Sequence, residues 1–133
     1  MTLPSHCSIM TGLFPFVHGV RRNGVDHLPL VANTLAEAFH TAGAATAAAV
    51  ASFVLDERTG IAQGFDAYHG VPRPHGPADA SESDRKGDQV CDDALALLRA
   101  RAREKFFLWV HFYDAHYPYE SPTHPDVISP AAY

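Results

Sequence analysis

The chain has 133 residues, 47% of them apolar and 19% charged, which is the size and balance of one globular domain with a real core. Its net charge is −5 with nine histidines neutral, and Arg21-Arg22 is its densest basic run, so nucleic acid and anionic membrane surfaces are excluded as natural partners. Two cysteines, Cys7 and Cys91, lack the density of a disulfide scaffold and the spacing of a metal site, and read as buried thiols.

The first element follows from TLPSHCSIMTG. Pro4 fixes its own φ, Ser5 is a good N-cap, and His6 to Thr11 is expected to form a short helix ending at Gly12. Free amides at such a helix start favour an anion, and Thr2, Ser5 and His6 add two hydroxyls and an imidazole there. An ordinary capped helix is the plainer reading of the same residues.

A loop follows, broken by Pro15, Gly19, Asn23-Gly24 and Pro29. Thr34 to Glu37 forms a capping-box pattern, Leu35, Ala38, Phe39 and Ala42 share one helical face, and Gly43 supplies the stop. Residues 46–51 then read as a buried parallel strand, although their alanines also suit a helix. The apolar run from Ala44 to Leu55 is too short to span a bilayer, and no leader pattern opens the chain.

GIAQGFDAYHG reads as a turn-rich connector anchored by Phe65 and Tyr68, and 71–86 as an exposed loop of Pro, Gly, Ser and charge. Val90, Ala94, Leu97 and Leu98 repeat with helical spacing. Phe106 to Phe112 is an unbroken β-prone run, expected to be a central strand covered on both sides. This order predicts an α/β fold with a mostly parallel sheet flanked by helices. Ligands in such sheets sit beyond the carboxyl ends of the strands, which directs attention to Asp114 and His116. His116 could donate a hydrogen bond or hold a metal with Asp114 orienting it, or Asp114 could simply cap a turn.

Three stretches, TLPSHCSIMTGLFPFVHGVRRNG, TLAEAFHTAGAATAAAVASFVLDERTGIAQGFDAYHG and FFLWVHFYDAHYPYESP, together resemble the sulfatase family of the alkaline-phosphatase-like superfamily, whose members are metal-dependent ester hydrolases and transferases. The resemblance covers nearly the whole chain except the 71–86 stretch, and it implies that residues 1–133 form part of a sulfatase-like domain with an incomplete alkaline-phosphatase-like fold. The family's Cys/Ser-x-Pro-Ser-Arg motif corresponds to Thr2-Leu3-Pro4-Ser5-His6, which places Thr2 at the nucleophile position. Threonine cannot become formylglycine, and Cys7 lies five residues too late to be its precursor. A threonine alkoxide formed on a metal resembles the phosphate-transferring relatives more than the true sulfatases.

By the same resemblance His6 replaces an arginine that holds the nucleophile, Ser5 and His18 are candidate substrate contacts, and His116 matches the substrate-contacting histidine. His18 could equally organise its loop. Ala51-Ser52-Phe53-Val54 stands where the family carries Gly-Lys-x-His, so two charge-stabilising side chains are replaced. The implied cofactor is a divalent ion (Ca, or Mg, Mn or Zn) touched by Thr2, with its main acidic ligands outside this chain. The chain is therefore expected to be a piece of a longer enzyme acting on a small-molecule or glycan sulfate or phosphate ester. The other readings are a catalytically inactive remnant, a binding module, and a separate zinc site among the nine scattered histidines.

Overall fold

The structure is a computed structural model in which residues 1–71 and 84–116 are described. Helix α1 runs Thr2–Thr11, α2 Pro15–His18, α3 Leu35–Thr41 and α4 Gly87–Ala100; the strands are β1 Ala45–Val50, β2 Ala67–His69 and β3 Phe106–His111. Short 3-10 turns at Phe53–Leu55 and Glu57–Thr59 connect β1 towards β2. The three strands are parallel in the order β2-β1-β3, giving the expected α/β architecture.

β1 settles the ambiguity of the alanine-rich run: all six of its residues are buried, and it is the central strand. Its small side chains alternate between two cores. Ala48 and Val50 face α1 with Leu3, Cys7, Met10, Leu55 and Ile61, while Ala47, Ala49 and Ala51 face Val90, Ala94 and Leu97 of α4. β3 follows the same parity, with Phe107 and Trp109 on the α1 side and Leu108 and Val110 on the α4 side. Among the described strands it lies at the edge, not at the centre its unbroken apolar run suggested; Phe106 is 46% exposed. The central place goes to β1 because alanines let helices approach both faces closely.

Helix α1 starts four residues earlier than expected. Pro4 falls in the first turn, where a missing N–H costs nothing, so the helix passes through it. Ser5 is consequently inside the helix and not its N-cap: its hydroxyl donates to the Met1 carbonyl at 2.8 Å. Gly12 ends the helix in the left-handed region at φ 69°, as the sequence indicated.

The capping box of α3 is present. Thr34 Oγ1 accepts from the Glu37 amide at 3.1 Å, and the Glu37 carboxylate accepts from the Thr34 amide at 2.7 Å. Yet the buried residue is Ala36; Leu35 and Phe39 stay 40% and 39% exposed, because Phe39 lies flat on Phe107 at the rim of the sheet, with ring centroids 4.7 Å apart.

The connector after β1 contains β2, a strand that the turn-rich composition concealed. Tyr68 pins it by donating to the Leu55 carbonyl at 2.7 Å, and Asp66 accepts from the Thr46 amide at 2.9 Å. Of the stretch read as an exposed loop, 72–83 lie outside the described residues, but its ends are anchored. Val71 is buried, Asp84 accepts from the Phe53 amide and the Arg85 amide donates to the Ala51 carbonyl. Both cysteines are free thiols, Cys7 buried as expected and Cys91 exposed, since it projects away from the buried Val90-Ala94-Leu97 stripe of α4. Among the described residues no helix is long and apolar enough to cross a membrane.

Candidate functional site

All three strands end at the same edge of the sheet, at Val50, His69 and His111. Strand parity puts His111 on the α1 side, after Phe107 and Trp109, and α1 brings His6 to it. The two imidazoles meet edge to face, with centroids 4.8 Å apart and planes at 81°, and Trp109 lies 5.6 Å from His6. His6 Nδ1 donates to the Thr2 carbonyl at 2.8 Å, one helical turn back. The first residue of α1 is thereby tied to the carboxyl end of β3.

His116 lies five residues beyond that end, exposed and stacked on Tyr113 at 4.4 Å, with Tyr113 in turn 6.3 Å from His111. Its backbone amide donates to the Tyr113 carbonyl at 2.9 Å, closing a turn. Asp114 Oδ1 accepts from the Gly87 amide at 2.9 Å and caps the start of α4. Tyr117 and Pro118, which complete the histidine motif, lie outside the described residues.

The remaining expectations separate from this cluster. Ser5 is exposed and its hydroxyl is turned back onto Met1. His18 is buried: its Nδ1 accepts from the Val20 amide at 3.1 Å, so Nε2 carries the proton, 3.1 Å from Ser8 Oγ. Burial holds its pKa below the ordinary value, partly offset by backbone hydrogen bonds, one of them to Pro4. This is the loop-organising role, joining α2 to α1.

The anion-binding mouth expected at the helix start is also reduced. The Leu3 amide donates to Asn23 Oδ1 at 2.9 Å, Pro4 has no N–H, and the Ser5 amide points at the Met1 carbonyl. That leaves Thr2 to meet an anion at this helix start. Cys7, in the same helix, is buried among apolar side chains that push its thiol up to about 12, which makes it inert as a nucleophile.

Two further groups belong to this edge: Ser52, met in the sequence only as a replacement, and His111, which sequence reasoning passed over. Ser52 is fully buried, in extended backbone just after β1, and among the described residues its hydroxyl has no hydrogen-bond partner. His111 Nδ1 is likewise buried with no partner among them. Burial, then the neighbouring His6, lowers the His111 pKa to about 4, so the ring is neutral at pH 7. A histidine closing an otherwise apolar run was the signal available for it.

The donor set facing Thr2 and His6 is one hydroxyl and two imidazoles. Calcium and magnesium take six or more oxygens, so these residues do not fit a hard ion. Among the described residues no group of three or more His, Cys, Asp or Glu side chains could hold a metal, which leaves the scattered-histidine zinc site without support; His75 and His124 lie outside those residues. A cavity of about 130 Å³ lies elsewhere, lined by Gly24, His27, Phe53, Val54, Asp56, Arg58 and Thr59, and includes none of the expected site residues. Comparisons of the chain with known protein families and with curated proteins found no match.

Proposed function

We propose that the chain is part of a sulfatase-like hydrolase acting on sulfate esters, or on phosphate esters given threonine at the nucleophile position. The observation that carries this reading is the placement of Thr2. It is the first residue of α1, and through His6 it lies against the carboxyl end of a parallel strand, where sheets of this kind take ligands. In this reading Thr2 Oγ1 gives up its proton to water and bonds to sulfur or phosphorus as the bond to the ester oxygen breaks; His116 contacts the departing oxygen, which takes up a proton, and water then cleaves the Thr2 ester, releasing sulfate or phosphate and restoring the hydroxyl. His6 holds the Thr2 backbone. The divalent ion that the family resemblance implies takes its acidic ligands from outside the described residues. Ser5 and His18 hold α1 and its loop in place and are left out of the substrate contacts.

The test is hydrolysis of aryl sulfate and aryl phosphate by the native protein, compared with Thr2→Ala. Loss of turnover with an unchanged fold supports the reading, and unchanged turnover overturns it.

A catalytically inactive remnant or binding module is the second reading, favoured by one observation. Where the family carries lysine and histidine, Ser52 is fully buried and Val54 packs against the α1-side core, so neither reaches a ligand beyond the sheet. Absence of turnover from the native protein would select it.

A further inference from the structure

Helix α2 reverses the usual order of inside and outside. Pro15 takes the first helical position, and of the four residues Pro15–His18 only His18 is buried. Phe14 and Phe16, on either side of the proline, are 69% and 71% exposed, with their rings stacked on each other at 5.7 Å. A lone domain ordinarily covers its phenylalanines and leaves histidine nearer the surface. Val17, beside Phe16, is 56% exposed. His18 Nε2 lies 3.1 Å from Ser8 Oγ, which clamps α2 to the last turn of α1, where Ile9 is 64% exposed. Leu13, after the Gly12 stop, is 36% exposed between them.

Area and charge together indicate what covers this surface. The five side chains present roughly 500 Å² of apolar surface, at the upper end of what a monomer leaves open. A homodimer of ordinary size buries about 800 Å² per partner, about 65% of it apolar, so each copy must supply roughly 500 Å². The two figures agree. The whole chain carries a charge of −5, yet Met1 to Val20 contains no Lys, Arg, Asp or Glu. A charged patch would repel its own copy, whereas this one can face itself without that cost. Arg21, Arg22 and Asp26 follow directly and put both signs at its border.

We propose that this α1–α2 surface is a dimer interface, covered by the same surface of a second copy of the chain across a two-fold axis. Phe14 and Phe16 are its central anchors. The proposal goes beyond the ester-hydrolase reading and does not depend on it. The interface lies at the Thr11 end of α1, about 14 Å along the helix from Thr2, so dimerisation leaves the Thr2 end open.

The test is sedimentation velocity of the whole chain from about one to a few hundred micromolar, with circular dichroism to confirm the fold. The wild type should approach twice 14.4 kDa as concentration rises. Phe16→Asp and Phe14→Ser should each weaken the dimer by at least about thirtyfold. Leu95→Asp is the control: Leu95 is exposed on α4, which covers the opposite face of the sheet, and the dimer should persist. If one phenylalanine variant does not fold, the other and the wild-type concentration series still decide. A monomer at every concentration would overturn the proposal, as would a dimer that survives both phenylalanine variants. Growth past the dimer would overturn it too, because a two-fold contact closes on itself. A monomer that floats with phosphatidylcholine vesicles would assign the surface to lipid and would equally overturn it.

Discussion

His18, a candidate substrate contact from the sequence, is occupied with holding the fold. Its Nδ1 accepts the Val20 amide, so protonation there would turn an acceptor into a second donor facing an N–H. Burial lowers its pKa from the ordinary 6.5. The sign follows directly: just below pH 6.5 the unfolded chain takes up a proton that the folded chain refuses, so stability falls as pH drops through that range. Thermal unfolding followed from pH 7.5 down to 5 should show this loss. His18→Gln, which cannot charge, should flatten the part due to this residue, and an unchanged slope in that variant would contradict the assignment. Thr2 and His6 were legible as a pair because motif order placed them one turn apart. His111 was not, because only tertiary packing brings β3 to α1. The sequence alone showed an apolar run with a histidine near its end.

At the scale of elements, local chemistry was read correctly where the deciding groups are close in sequence. Thr34 and Glu37 satisfy one another's backbones, and Thr34 Oγ1 also donates to the Gln63 carbonyl at 2.9 Å, which ties α3 to the turn before β2. Thr34→Ala should cost about 1–2 kcal/mol in a denaturant melt and speed exchange of the Glu37 amide. A cost near zero would show that the cap is dispensable. Helix α1 was mis-bounded because two N-terminus signals, Pro4 and Ser5, compete; proline tolerates the first turn, and the helix gained a turn by including both. That extra turn buries Leu3 completely in the α1-side core with Cys7 and Met10. Leu3→Ala should therefore cost about 2–5 kcal/mol and loosen the Thr2 end of the helix. If the start of α1 were frayed, the loss would be a few tenths, as for a surface site.

At the scale of the molecule, parallel order and layer composition were legible because alternating helix and strand patterns leave few arrangements. Strand rank was not. Phe106 to His111 is the more hydrophobic run, but the alanine run takes the centre because a middle strand must fit under helices on both faces. The consequence is positional: α1 packs over β1 with its first turn beside the end of β3, which gathers Thr2, His6 and His111, while Tyr113 links them to His116.

We propose Thr2 as the nucleophile at this edge. The measurement that tests it most directly is aryl sulfate and aryl phosphate turnover by the protein purified from its own cells, wild type against Thr2→Ala, with circular dichroism confirming an intact fold. Turnover of at least one ester by the wild type is expected, with a fall of at least about a thousandfold in the variant. Equal turnover by the two proteins, or none by the wild type on either ester, would contradict it.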